Sequence, residues 1–228
     1  MIRVSNVRIE TPIELFSGSP VVLTIESPRE FYLLVGDMIG FLDGAETSFS
    51  LWDGDTRIKP SDRCEIVADV FSFEATDRKI ITALYKRLQS NFLDGDFVVP
   101  FGEAATAAEK FLGALCDTLD FPIEYDELSL DALLKAFAVR PAKNYDTLLE
   151  KIVAYIDIFA ELKRVDVFVF VGLKDVLPDD ELALLYRHCE LKKIALLLIE
   201  SHRARPPLAP ERSIIITDDL CEILENFG

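Results

Sequence analysis

The chain has 228 residues, 50 % of them hydrophobic and 28 % charged, which describes a globular protein long enough for one large domain or two small ones. No apolar run reaches the roughly 18 residues of a bilayer span, and the start MIRVSNVRIE lacks the apolar core of a signal peptide, so no membrane partner and a cytoplasmic location are expected. A formal net charge of -16 argues against nucleic acid unless the positive charge is segregated on one surface.

Residues 2 to 10 alternate, with Ile2, Val4, Val7 and Ile9 among polar neighbours, and predict an edge strand or hairpin. After the turn SGSP, VVLTI is a continuous apolar run of the kind buried on both faces of a sheet. Pro28 suits a helical first turn, and Phe31, Leu34, Val35, Met38 and Ile39 follow at helical spacing up to Asp43-Gly44. SFSLWDG then reads as a short strand.

From about residue 65 the pattern changes to long amphipathic segments. Helices are predicted over 76 to 93, over 102 to 119, and over 129 to 138 with Ser129 as cap. The α/β pattern resumes with a helix TLLEKIVAYIDIFAEL, a buried strand VDVFVFVG, a helix PDDELALLYRHCE opened by Pro178, and a buried strand KKIALLLIES. SHRARPPLAPER is a proline-rich basic loop, SIIIT a last strand and DDLCEILENF a closing helix. Strands alternating with helices predict an α/β fold with a mainly parallel sheet. The expected division is 1–64 and 141–228 for the α/β part, with a helical domain at 65–140 inserted into it.

The first chemistry to test is a phosphate loop at the end of VVLTI. Such a loop needs glycines so that backbone N–H groups can cradle phosphates, a lysine for the outer phosphates, and a Ser or Thr for magnesium. The sequence there is ESPREFYLLVG, with no GxxxxGK[ST], no lysine, and Glu26 where phosphate would approach, so nucleotide hydrolysis is not expected. Asp175 and Glu200, after the next two buried strands, are read as capping or ion-pairing groups rather than catalytic acids. Cys64, Cys116, Cys189 and Cys221 form no CxxC, and His188 and His202 complete no zinc spacing; reduced, mostly buried thiols and non-catalytic histidines are expected.

The stretch DTLDFPIEYDELSLD, residues 117 to 131, holds six acids and no Lys or Arg. Asp117, Asp120, Glu124, Asp126, Glu127 and Asp131 offer oxygen ligands that suit Ca2+ better than a transition metal, although the EF-hand spacing is missing. A solvated acidic loop with helix-capping acids is the competing reading. Next comes LLKAFAVRPAKN, with Lys135, Arg140 and Lys143; it is either a solvated face or a strip that faces phosphates.

IETPIELFSGSPVVLTIESPREF, LSLDALLKAFAVRP, VFVFVGLKDVLPDDELALLYRHCELKKIALLLIES and IIITDDLCEI, taken in order, resemble the ring-forming Csn family, the accessory spacer-acquisition proteins of type II-A CRISPR systems. The resemblance spans nearly the whole chain and rests on joint order, since none of these strings is a catalytic signature. It implies a head built like a degenerate P-loop ATPase with an inserted α-helical leg, and a tetrameric ring that binds calcium and threads linear ends of double-stranded DNA. It implies antiviral defence as the setting, no enzymatic activity, and the CRISPR integrase subunits and effector nuclease as further partners. Carried over by residue, Glu124, Asp126, Glu127 and Asp131 become the leading calcium candidates with Asp117 and Asp120 behind them. Lys135, Arg140 and Lys143 become the DNA-facing strip. The competing functional readings are an active nucleotide-dependent α/β enzyme and an acidic interaction module without nucleic acid.

Overall fold

The structure is a computed structural model and describes residues 1–75, 78–203 and 205–226. Thr76 and Asp77 of the first predicted long helix, Ala204 of the proline-rich loop, and Phe227 with Gly228 at the end lie outside the described residues. The chain divides into two compact units, Met1–Glu74 with Asn144–Gly228, and Ala75–Lys143.

The first unit is a mixed α/β fold. Its elements are β1 (Ile2–Asn6), β2 (Ile9–Leu15), β3 (Val21–Ile25), α1 (Pro28–Leu42), β4 (Phe49–Asp53), β5 (Thr56–Arg57), β6 (Cys64–Val67), then α5 (Leu148–Lys163), β7 (Val167–Val171), α6 (Asp179–Lys192), β8 (Ala195–Glu200), β9 (Arg212–Ile216) and β10 (Glu222–Glu225). A six-stranded sheet runs in the order β10-β9-β3-β8-β7-β6, parallel throughout except for β10. A four-stranded antiparallel sheet, β2-β1-β4-β5, stands beside it in the same unit.

The continuous apolar runs are continuous because both sheet faces are covered. All five residues of β3 and all six of β8 are buried. Side chains alternate across the sheet. Val21, Leu23, Ile25, Val169, Leu197, Ile199, Ile214 and Ile216 join the core that Leu34 and Met38 of α1 and Ile2, Val4, Ile13 and Leu15 of the small sheet complete. Phe168, Phe170, Leu196, Leu198 and Glu200 take the other side, where Tyr155 of α5 meets Phe168 edge-on at 6.4 Å.

Two expectations are corrected. DDLCEILENF is not a closing helix: Glu222–Glu225 forms β10, antiparallel to β9. Leu220, Ile223 and Leu224 have helical spacing, but Leu220 sits at φ 64, and Leu220 N–H donates to the Thr217 carbonyl at 2.9 Å, closing a hairpin before any helix can start. The stretch from about residue 65, read as the start of the helical pattern, also opens with a strand. Cys64–Val67 is β6, paired in parallel with β7 and braced by Arg63, which bonds Asp166 through Nε at 2.9 Å and Asp53 through a terminal nitrogen at 3.2 Å.

The second unit contains α2 (Arg78–Asp94), α3 (Val98–Cys116) and α4 (Leu130–Ala136). Ser129 caps α4, its hydroxyl accepting from Ala132 N–H at 3.1 Å. Tyr85 of α2 donates its hydroxyl to the Leu134 carbonyl of α4 at 3.0 Å. Ile80 is the buried residue of α2, while α3 and α4 have none. No helix among the described residues is long and apolar enough to cross a membrane.

Candidate functional site

A parallel sheet presents its strand C-termini as the customary ligand edge. At the end of β3 only Glu26 and Ser27 separate the strand from α1. Glu26 N–H donates to the Ile216 carbonyl at 2.9 Å, and Phe31 N–H donates to the Ser27 carbonyl at 2.9 Å. The Phe31 bond is the first of the helix, Pro28 has no N–H to offer, and the Glu26 amide at the strand end is engaged within the protein.

The ends of β7 and β8 hold a buried ionic cluster instead. Lys174 and Glu211 are 4 % and 1 % exposed, with Lys174 Nζ at 2.9 Å and 2.7 Å from the two carboxylate oxygens. The Tyr186 hydroxyl donates to Glu211 Oε1 at 2.6 Å, and Leu208 N–H to Oε2 at 3.0 Å. Burial, followed by the charge of Glu211, raises the Tyr186 phenol well above its ordinary range, so it stays a donor. Arg205 closes the cluster by donating to the carbonyls of Lys174 and Leu177 and pairing with Asp179 at 2.7 Å. The basic loop between β8 and β9 is thus tied down to the start of α6 and the turn after β7.

Glu200 is 2 % exposed; its Oε1 accepts from Lys174 N–H at 3.0 Å, and its Oε2 has no partner among the described residues. Burial is the main reason its carboxyl is pushed up to about 7, opposed by the Lys174 amide bond and reinforced by the charge of Asp175. It lines a cavity of about 20 Å³ with Thr24, Ser213, His202 and Arg203, room for about one water. Asp175 lies 3.4 Å from His202, the ion-pairing role expected of it, while Glu200 is buried more deeply than a capping acid. Of the thiols, Cys64 and Cys189 are buried and pushed up to about 12 by desolvation, Cys116 is half-buried and Cys221 exposed; all four are free. His188 is held by Asp157 at 3.0 Å. The lysine at the strand ends is neutralised in place by Glu211.

In the second unit, Glu124, Asp126 and Glu127 are exposed along the extended segment leading to Ser129, and Asp117 and Asp120 are exposed after α3. Asp131, in the first turn of α4, pairs with Lys135 one turn on at 2.5 Å, and that bond raises the Lys135 ammonium above its ordinary value. No group of three or more acidic, thiol or imidazole side chains placed to hold a metal occurs among the described residues. Arg140 and Lys143 are exposed beyond α4. The structure therefore brings Asp131 and Lys135 together and gathers no three of these acids into one group among the described residues.

Sequence reading placed the helix α2 but missed its charge. Residues 78 to 93 carry Arg78, Lys79, Lys86 and Arg87 and no acid, in a chain of net charge -16. The signal was charge and not motif, and the apolar stripe Ile80-Leu84-Leu88 drew the reading to packing.

A parallel-sheet unit whose strand ends are internally neutralised, together with a helical unit that segregates charge, defines a mixed α/β protein with a separate helical region. Residues 42–220 match the model of the family described as CRISPR-associated protein (Cas_Csn2), and the chain belongs to that family. It is 23 % identical over 205 residues to the CRISPR-associated protein Csn2 of Streptococcus agalactiae, covering 89 % of this chain and 90 % of the relative. The Csn2 of Enterococcus faecalis is 22 % identical over 206 residues, with 87 % and 89 % covered. Among solved structures, a nucleotide-free ATP-binding cassette of an ABC transporter superposes with a TM-score of 0.47 at 14 % identity, covering 97 % of this chain and 90 % of its own. A second such cassette, in its ADP conformation, gives a TM-score of 0.47 at 12 % identity, with 96 % and 87 % covered.

Proposed function

We propose that the chain is a non-enzymatic, calcium-dependent ring that binds double-stranded DNA, with preference for linear ends, during spacer acquisition in a type II-A CRISPR system. On this reading the sheet unit is a head descended from a phosphate-loop fold that has lost its nucleotide site, and the helical unit is its leg. The cytoplasm is its compartment, and the integrase subunits and effector nuclease of the same system are its protein partners.

The observation that carries the DNA reading is the segregation of charge. Residues 78 to 93 hold four cations and no acid, and residues 132 to 145 hold Lys135, Arg140 and Lys143 and no acid, although the chain as a whole is at -16. A local field governs a bound phosphate, so an acidic exterior is compatible with a basic lining. Assembly is supported by apolar exposure. Among the described residues, twelve of the 22 exposed large apolar side chains fall in Ala75–Lys143, among them Phe97, Val99, Phe111, Leu115, Phe121 and Phe137, a concentration that points to covered surface. The absence of activity is supported by the Glu26-Ser27 junction, where neither glycine nor lysine is available for phosphate. Glu124, Asp126 and Glu127, with Asp117 and Asp120 behind them, are the proposed calcium ligands; Asp131, ranked with the first three on sequence, is set aside because Lys135 already holds its carboxylate.

The test is light scattering with a salt titration of duplex binding. A tetramer in calcium that weakens in chelator, with Glu124, Asp126 and Glu127 to alanine imitating chelator, is expected. Binding should favour linear over closed-circular duplex and lose affinity with salt at a slope of roughly 0.9 per phosphate contacted. A monomer in calcium, or equal binding to closed circles, would remove the ring.

A further inference from the structure

α2 and α4 form a groove lined by Arg78, Thr82, Tyr85, Lys86, Asp131 and Lys135, with Ile81 and Gln89 completing it. Three of these side chains are cations, and the single acid, Asp131, is already paired with Lys135 at 2.5 Å. Thr82 turns its hydroxyl back to the Arg78 carbonyl at 2.7 Å, and Tyr85 spends its own on Leu134, so the groove's polar reach comes from its charged groups and Gln89. Arg78 and Lys79 open α2.

Spacing narrows the anion. Eight residues separate Arg78 from Lys86, a rise of about 12 Å along the helix. One strand of duplex DNA advances about 3.4 Å per nucleotide, so the two cations match phosphates three to four nucleotides apart. Arg87, nine residues from Arg78, points about 180° away around the helix and does not line the groove.

We propose that the α2–α4 groove is a phosphate-binding track on this chain, in which Arg78 and Lys86 hold phosphates of one DNA strand and Lys135 exchanges Asp131 for a third. It rests on the reading of the chain as a DNA binder. The Asp131–Lys135 pair is then a mask: an intramolecular carboxylate occupies the ammonium until phosphate replaces it, which adds selectivity for a polyanion over a single anion.

The experiment is fluorescence anisotropy with a labelled blunt duplex of about 30 base pairs, titrated with salt in calcium, each variant being checked by thermal melting. Arg78→Gln and Lys86→Gln should each weaken binding about 5-fold or more near physiological salt and flatten the log-log slope by about 1 for each phosphate no longer neutralised. Arg87→Gln, an equal change of charge on the far side, should change affinity less than about 2-fold. Asp131→Asn should tighten binding more than Glu103→Gln, which removes the same charge from an exposed position on α3 outside the groove. Wild type that does not bind duplex overturns the DNA reading and this proposal with it. Wild type that binds while Arg78→Gln and Lys86→Gln match Arg87→Gln overturns the groove alone. Asp131→Asn no tighter than Glu103→Gln overturns the exchange.

Discussion

The two units bury their sequence very differently. In the sheet unit, α5 buries Ile152, Tyr155, Ile156 and Phe159, and α6 buries Leu182, Leu185, Tyr186 and Cys189, against strands that are themselves buried throughout. In the helical unit, α3 runs for 19 residues without one buried side chain. The sheet unit has a complete core and can spend buried space on charges, whereas in the helices of the other unit Ile80 alone among the described residues is buried and the rest are half-buried or exposed. Stability belongs to the first and exchangeable contacts to the second.

The largest contrast is between the two lysine-carboxylate pairs. Glu211→Ala would leave the 4 % exposed Lys174 without its counter-charge and Tyr186 without its acceptor. Removing one partner of a buried pair costs about 3–5 kcal/mol, so the urea midpoint should fall steeply. Lys174→Met combined with Glu211→Leu should recover most of that loss, because the penalty lies in the stranded charge. Asp131→Ala breaks a pair of similar length on an exposed helix and should leave the same transition unmoved. Equal losses from Glu211→Ala and Asp131→Ala would refute the division.

Glu200 comes next. Its carboxyl is pushed up to about 7 from the ordinary 4.5, so below pH 4.5 folded and unfolded chains are both protonated and the contribution is fully present. Between the two values the unfolded chain releases its proton while the folded chain keeps it, and stability falls as pH rises through about 7. The total is on the order of 3 kcal/mol, an upper figure for a group beside a cavity that admits a water. Glu200→Gln should lose little at about pH 5 and be more stable than wild type at about pH 8, read from urea unfolding at both. A wild-type profile as flat as the variant's would show that the carboxyl is not strained.

The sequence disclosed what depends on period and concealed what depends on tertiary neighbours. VVLTI, VFVFV and ALLLIE declare a doubly covered parallel sheet because burial on both faces removes alternation. β6 was hidden because CEIV is four residues long and its pairing with β7 relies on Arg63 reaching Asp166, 103 positions away in sequence. β10 was hidden because a single left-handed residue, Leu220, converts a helical spacing into a hairpin. The strand-end cluster joins Lys174, Tyr186, Glu200 and Glu211 from two strand ends, a helix and a loop, and no local pattern announces that a lysine in GLKD will be buried. Asp175 and Glu200 were noticed for their positions after strands, but only packing separates the exposed one from the buried one.

The smallest effect is the most discriminating, because the same bond is found in both units. Thr147 caps α5 by accepting from Glu150 N–H at 3.1 Å, and the Glu150 carboxylate returns to Asp146 N–H at 2.9 Å. Ser129 caps α4 by accepting from Ala132 N–H, also at 3.1 Å. Loss of a cap costs its helix about 1 kcal/mol in either place. α5 is locked to the core by four buried side chains, so it cannot fray without exposing them, and Thr147→Ala should carry that cost into global unfolding as a lower urea midpoint. α4 is seven residues long and buries none, so Ser129→Ala should be absorbed by local fraying, with faster amide exchange over Leu130–Ala136 and an unchanged midpoint. If Ser129→Ala lowers the midpoint as far as Thr147→Ala does, the helical unit unfolds together with the sheet unit, and its low burial does not make it a separate layer of stability.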